Sequence, residues 1–342
     1  MVRNTNVTVA LLLIAAMLAQ GLPRPEAYRR ARDLTALGRQ LFFDPALSAS
    51  GRESCATCHD PKFAYGPPPG LKQPGRRAIP SLRYIQTVPQ FTEHYFDESA
   101  GDDSVDRGPT GGLTWDGRVD RGRDQARIPL LAPEEMANTS ADDVAAHAMK
   151  RPYAPELRRL RDGTPFGTIL EALEAFEENP KEFYPYSSRY DEYLAGKAKL
   201  SEGEMRGLRI FSDSEKGNCA SCHPAGRGIY GTPPQFTDYG YANIGLPDAD
   251  DPGLCGHLAG HTEYCGMFRA PTLRNAAVKS SFFHNGAVHS LREAVRFYAK
   301  RDDARAHFQA TLEKGSPFDR KPGLTDEEID DIVAFLQTLT DR

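Results

Sequence analysis

The most regular pattern of apolar and polar positions closes the chain. In "LTDEEIDDIVAFLQTLTD", apolar side chains recur at Ile329, Ile332, Val333, Leu336 and Leu339, the spacing that places them on one face of a helix. Thr325 and Glu328 stand three residues apart just ahead of that run and predict its start, because each side chain can satisfy the other's free backbone N–H. A shorter amphipathic helix is predicted around "AVRFYAKRD", with Ser290 and Glu293 as its cap and Leu291, Ala294 or Val295, and Tyr298 sharing one face. Alone, that pattern says only that Tyr298 points inward. The stretch "FGTILEALEAFEENPKEFYPYSSRYDEYLAGKAKLSEGEM" reads as helix, polar turn and short helix, and its end is a linker, which sets a boundary between Ala195 and Ser201. Between Pro61 and Gly112 Pro and Gly abound and periodicity is weak, the mark of a long loop that is either functional or disordered.

The N-terminus carries one Arg, an uncharged apolar run from Val7 to Ala19, then Gln20 and Gly21. That run is shorter than the roughly 20 residues a membrane span needs, so residues 1–21 are expected to be a signal peptide that exports the protein to the periplasm, with an uncleaved anchor as the alternative. The formal charge of −5 and the lack of a basic stripe argue against nucleic acid as a partner.

Six cysteines in an exported chain suggest disulfides, yet four have a more specific assignment. "SCATCHD" supplies Cys55, Cys58 and His59, and "NCASCHP" supplies Cys219, Cys222 and His223. C-x-x-C-H is the attachment pattern of c-type haem: two thiols form thioethers to the porphyrin edge and the following His is set under the iron. A shuffled chain of this composition would hold roughly 0.003 such matches. A zinc site or a thioredoxin-like redox pair accounts for the cysteines but not for a His directly after both pairs. The surroundings repeat too, in "LGRQLFFDPALSASGRESCATCH" and "RGLRIFSDSEKGNCASCH". The expected architecture is therefore mainly α, two tandem cytochrome c-like haem domains with long irregular loops: residues 22–195, then 196–342. The loop from Pro61 to Gly112 is expected to wrap the first haem. Within it "DESAGDDSVD" crowds carboxylates in a spacing unlike an EF-hand calcium loop.

Two haems would suit an electron carrier as well as an enzyme, so acid-base groups near one iron decide between them. "TWDGRVDRGRDQARIPLLAPEEMAN" holds Trp115, the only tryptophan, followed by Gln125, Pro129 and Glu135. With both haem motifs, "SRYDEYLAG", "FRAPTLRN", "FFHNGAV" and the closing helix, this run resembles the bacterial di-haem cytochrome c peroxidases and their MauG-type relatives. The resemblance implies that the first haem reacts with hydrogen peroxide, the second stores or relays electrons, and Trp115 lies between them. It further implies that Gln125, Pro129 and Glu135 line the distal side of the first haem, where a carboxylate such as Glu135 can move a proton between the peroxide oxygens. The plain alternatives are a core aromatic for Trp115 and, for Glu134 and Glu135, the acidic start of a helix.

Two departures from the peroxidase pattern stand out. Family peroxidases often carry a blocking histidine in the loop after the first haem, and "GLKQPGRRAIPSLRY" has none, so the first haem is expected to be five-coordinate. They also carry a methionine 14 residues after the His of the "FHNG" run, a position held here by Tyr298. A tyrosine oxygen on the iron of the second haem favours oxidised iron where a thioether favours reduced iron. Met267 is the rival ligand. Tyrosine here is what MauG-type enzymes have, in which peroxide drives both haems into a shared high-valent, bis-ferryl-type state that oxidises a separate protein. Within that group "GPTGGLTWDGRVDRGRDQAR" and the paired Cys255 and Cys265 look most like the methanobactin-associated MbnH enzymes, which convert a tryptophan of a partner protein of the MbnP type to kynurenine.

The expected partners are thus hydrogen peroxide and a partner protein, or a small electron-donor cytochrome if the chain is a conventional peroxidase. A non-enzymatic electron-transfer cytochrome is the third reading. Cys255 and Cys265 are expected to form a disulfide, with a metal site at His257 and His261 as the alternative. A calcium ion between the domains is implied by the family, but the segment that supplies an Asn ligand there reads "RRAIP" here, which counts against it. His284 and Asn285, in the turn before Tyr298, contact haem or serve only as turn residues.

Overall fold

The structure is a computed structural model that describes residues 24–96, 105–228, 231–246, 250–299 and 323–342. The expected signal peptide and most of the acidic "DESAGDDSVD" loop lie outside the described residues. Asp106, at that loop's end, ties a turn together by accepting from the Tyr95 and Gly108 N–H groups.

The fold is mainly helical and consists of two cytochrome c-like domains. In the first, α1 (Arg24–Phe42), α2 (Gly122–Leu131), α3 (Ala141–Ala148), α4 (Ala154–Leu160) and α5 (Pro165–Glu177) enclose one core, centred on Leu37, Leu41, Phe42, Ile169 and Phe176. The second core gathers Tyr190, Phe211, Phe236, Ile332 and Phe335 from α6 (Arg189–Leu194), α7 (Glu202–Ser212), the following loops and α9 (Asp326–Gln337). α8 (Leu291–Ala299) packs beside α9. The one sheet among the described residues pairs β1 (Tyr241–Ala242) with β2 (Phe268–Arg269), antiparallel, Tyr241 opposite Arg269.

The sequence repeat has a packing cause. α1 crosses α5 with Gly38 against the Ala172 carbonyl, and α7 crosses α9 with Gly207 against the Asp331 carbonyl; a Cβ at either glycine would overlap that oxygen. Four residues on, Phe42 meets Phe176 edge-on at 5.3 Å and Phe211 meets Phe335 edge-on at 5.2 Å, so each glycine lets two backbones approach and each phenylalanine fills the crossing. Both haem motifs follow directly from these crossings.

Helix starts follow local chemistry. Ser188 with Asp191, Ser201 with Glu204 and Thr325 with Glu328 form reciprocal caps at α6, α7 and α9. On α9 and just past it, Ile329, Ile332, Leu336 and Leu339 are buried as the periodicity predicts, with Phe335 added and Val333 half-buried. At α8 the Glu293 N–H reaches the Ser290 hydroxyl over 3.5 Å.

The long loop does more than wrap the first haem site. Residues from Pro67 to Val88 line a central cavity, while the following stretch forms the seam with the second domain. There Thr110 bridges Gly240, the Gly111 N–H donates to the Tyr239 carbonyl over 3.0 Å, and the Tyr241 hydroxyl donates to the Gly111 carbonyl over 2.7 Å.

Candidate functional site

Each haem motif is held by a short helical turn. Cys55–Cys58 forms a single α-turn and Cys219–Ser221 a 3-10 turn, and in both the first cysteine's carbonyl accepts from the N–H of the motif histidine, at 2.8 Å for His59 and 2.9 Å for His223. The side chains repeat the equivalence. Nδ1–H of His59 donates to the Tyr65 carbonyl over 3.0 Å, and Nδ1–H of His223 donates to the Phe236 carbonyl over 2.7 Å. A carbonyl can only accept, so both rings carry their proton on Nδ1 and keep the Nε2 lone pair for a metal. Burial pushes both imidazoles down to about 4, which keeps them neutral, the form an iron ligand requires.

The cysteine environment separates the three readings of the motif. Burial pushes the Cys55 thiol up to about 12 and the Cys58 thiol up to about 11, with Glu177 and Glu135 respectively adding to the shift. Redox and zinc cysteines need the opposite, a site that favours thiolate. Among the described residues no three His, Cys, Asp or Glu side chains converge as a zinc ion would need. Apolar surroundings suit thioether bonds.

One cavity of about 740 Å³ joins the two motifs. Cys58 and His59 of the first motif and Cys219, Cys222 and His223 of the second line it, while Cys55 packs behind the wall against the first core. Trp115, Gln125, Pro129, Glu135, His284 and Tyr298 line the same cavity. Its wall also carries Arg269 and Lys279, both half-buried. Burial lowers both cations, and the charge of Arg269 adds to the shift that takes Lys279 down to about 8. Neither makes an ion pair among the described residues; Nε–H of Arg269 donates to the Thr114 carbonyl and Nζ–H of Lys279 to the Thr272 carbonyl. Two half-buried like charges on one cavity wall, both lowered by desolvation, fit a cofactor that brings its own carboxylates, as haem does with its propionates. The residues present therefore fit two c-type haems.

Gln125 and Pro129 project from α2, where Pro129 sits inside the helix and removes one backbone donor. Glu135 lies in the turn after α2, ahead of α3, so it is not the acidic start of a helix. It is exposed and lines the cavity, and desolvation on that side, with Glu134 beside it, holds its carboxyl above the ordinary value. Trp115 is half-buried; its indole N–H donates to the Ala78 carbonyl over 2.8 Å, and its own carbonyl accepts from the Arg269 N–H over 3.0 Å.

Tyr298 faces the cavity from α8 together with Leu291, Ala294 and Val295. Met267 bridges Gly253 beside the Cys255–Cys265 loop and does not line the cavity, whereas Tyr298 does. His284 is buried, lines the cavity and stacks on Phe268 with centroids 3.5 Å apart, whereas the Asn285 side chain accepts from the Ala287 N–H and serves the turn. Cys255 and Cys265 are joined as a disulfide. His261 lies against Glu263 and Glu93, His257 packs on Phe91, and the two do not form a metal cluster among the described residues. Arg77, Arg269 and Lys279 were not legible as site residues in the sequence, and Arg118 was hidden within the charged run "TWDGRVDRGRD".

The family model of the di-haem cytochrome c peroxidases, the CCP/MauG group, matches residues 32–199, and the cytochrome c model matches residues 205–340. The methylamine utilization protein MauG of Paracoccus denitrificans is 33% identical over 98% of this chain and 95% of its own. The crystal structure of the diheme peroxidase BthA from Burkholderia thailandensis superimposes with a TM-score of 0.77 at 36% identity, covering 90% of this chain and 86% of that one. A MauG-like protein associated with microbial copper homeostasis gives a TM-score of 0.68 at 28% identity over 90% of this chain and 89% of its own. With paired haem motifs, neutral proximal histidines and one cavity between them, this chain belongs to the di-haem cytochrome c peroxidase and MauG family and is a c-type di-haem oxidoreductase.

Proposed function

We propose that the protein is an exported oxidase that uses hydrogen peroxide to oxidise a partner protein without first being reduced. The observation that carries this is Tyr298, which stands on the cavity wall with His223 where a peroxidase-type chain would offer methionine. Bound c-type haem supplies iron that accepts oxidising equivalents from hydrogen peroxide. His59 and His223 would hold the two irons, and Tyr298 would be the further ligand to the second, which would favour its oxidised state. Glu135 takes a proton from one peroxide oxygen and returns it to the leaving one, a task helped by a carboxyl held above the ordinary range. The Gln125 amide orients peroxide, and Pro129 keeps a backbone donor out of that side. Trp115 passes electrons between the two haem sites.

Export to the periplasm is part of this reading, supported by the Cys255–Cys265 disulfide and the N-terminal apolar run; no described helix is long and apolar enough to cross a membrane. The "RRAIP" segment, where the resemblance implies an Asn ligand to calcium, carries Arg77, whose guanidinium lies between Asp116 and Asp251 and counts against calcium there. A substrate of the MbnP type and conversion of its tryptophan to kynurenine are the finer form of this reading and rest on the sequence resemblance, beside a structural neighbour that is MauG-like and associated with microbial copper homeostasis. The diheme peroxidase relative favours a second reading, in which two electrons from a small reduced cytochrome, with two protons, reduce peroxide to water and no partner protein is modified. Adding peroxide to the diferric protein without reductant separates them. A long-lived species two oxidising equivalents above the resting protein is expected; reactivity only after one-electron reduction would replace this reading with the second.

A further inference from the structure

The seam between the domains contains one cluster that the reaction outlined above does not use. Arg77 ion-pairs with Asp116 through Nη1 at 2.7 Å, and its Nε–H and Nη2–H donate to the two carboxylate oxygens of Asp251 at 2.7 Å each. The carboxylate side chains of Asp116 and Asp251 are 6% and 3% exposed, so the pairing is desolvated. Burial alone would raise both carboxyls, yet the Thr114 hydroxyl and then Arg77 hold Asp116 below the ordinary range, and Arg77 and then the Gly253 N–H hold Asp251 there. Arg77 also lies over the Phe268 ring, 5.6 Å from its centroid, and Phe268 stacks on His284.

Each partner borders Trp115 or belongs to the second domain. Asp116 is the next residue after the indole, and its carboxylate further accepts from the Thr114 hydroxyl at 2.5 Å and from Arg118 at 3.1 Å. Ala78, next to Arg77, accepts the indole N–H and donates its own N–H to the His284 carbonyl over 2.6 Å. Two adjacent residues thus grip Trp115 twice, through Asp116 and through the ring nitrogen, and grip the second domain twice, through Asp251 and His284. Four charges, Arg77 and Arg118 against Asp116 and Asp251, balance within the cluster. A lysine would keep the charge of Arg77 but not the fork that engages both oxygens of Asp251.

We propose that Arg77 is a positioning residue for Trp115: its guanidinium spans Asp116 and Asp251, fixes the indole on the Ala78 carbonyl and holds it in register with the second domain. The proposal rests on the reading of Trp115 as the electron relay. A displacement of about 1 Å in such a group can cost up to about a hundredfold in rate.

Because Trp115 is the only tryptophan, ultraviolet resonance Raman of the di-haem protein reports its N–H hydrogen bond directly. In Arg77→Lys, the indole band should shift toward a weaker hydrogen bond. Oxidation of a reduced small cytochrome c, used as electron donor, should fall about tenfold or more while the rate of peroxide binding stays within about twofold. Adding Arg77→Lys to Trp115→Phe should slow donor oxidation no further. An unshifted indole band, or additive losses in the double variant, would overturn the proposal. If Trp115→Phe alone leaves donor oxidation unchanged, the relay reading fails, and the indole band still decides whether Arg77 positions the ring. Should Arg77→Lys not fold, Asp251→Asn removes the same bridge and must give the same band shift.

Discussion

The indole N–H of Trp115 donates to the carbonyl oxygen of Ala78 over 2.8 Å, and Ala78 donates its own N–H to His284 of the second domain. The one tryptophan is thereby anchored on the wall that both haem motifs share, at the contact between the domains. Replacing it with phenylalanine keeps an aromatic ring but removes the N–H and the more easily oxidised indole. Trp115→Phe should slow electron removal from the donor by at least about tenfold and leave peroxide binding within about twofold. Stopped-flow measurement of both rates checks this, and equal effects on the two would remove Trp115 from the relay.

Glu135 is the proton carrier of the account. Glu135→Gln should lower the rate of peroxide activation by about 10²–10⁴-fold, the usual contribution of a placed general acid-base group. The carboxyl is raised, and the carboxylate form is the one that accepts the first proton. Activity should therefore fall as pH drops through a value above the ordinary carboxylate range. A pH–rate profile in which the glutamine variant keeps that acid limb would contradict the assignment.

Glu177 supplies a stability prediction. Burial, then Glu174 and Glu178, push its carboxyl up to about 8. The folded state then holds a proton that the unfolded chain releases near 4.5, so stability is full below the unfolded value and declines as pH rises toward 8. Glu177→Gln should match the parent near pH 4 and exceed it increasingly toward pH 8. Thermal melts across that range test the sign.

Gly38 and Gly207 should each be intolerant of a methyl group. Gly38→Ala and Gly207→Ala place a Cβ on a helix carbonyl that cannot rotate away, and each should cost at least about 1–3 kcal/mol. The yield and melting temperature of haem-loaded protein report the loss.

Much of this was legible in the chain because its cues are local. A Thr325–Glu328 cap, the apolar face of α9 and a C-x-x-C-H run depend on residues a few positions apart, where helical geometry alone fixes the outcome. Tyr298 was likewise readable as inward-facing, although only the fold supplies the cavity it faces. What could not be read are pairings made across the seam. Arg77 meets Asp251 174 positions away, through two irregular segments that carry no period. His223 finds its Nδ1 acceptor at Phe236 in a loop, and Arg269 on β2 and Lys279 in the loop after it meet on the cavity wall only in the fold. The placement of Met267 beside Gly253, off the cavity wall that Tyr298 lines, was equally illegible in the chain.

The central claim is that the Tyr298 oxygen holds the second iron in the state that lets peroxide react without prior reduction. The most direct test adds hydrogen peroxide to diferric parent and Tyr298→Phe proteins side by side and follows the haem and near-infrared bands. The account predicts a long-lived oxidised species in the parent that is absent or short-lived in the variant. An unchanged spectrum and lifetime in Tyr298→Phe would contradict it.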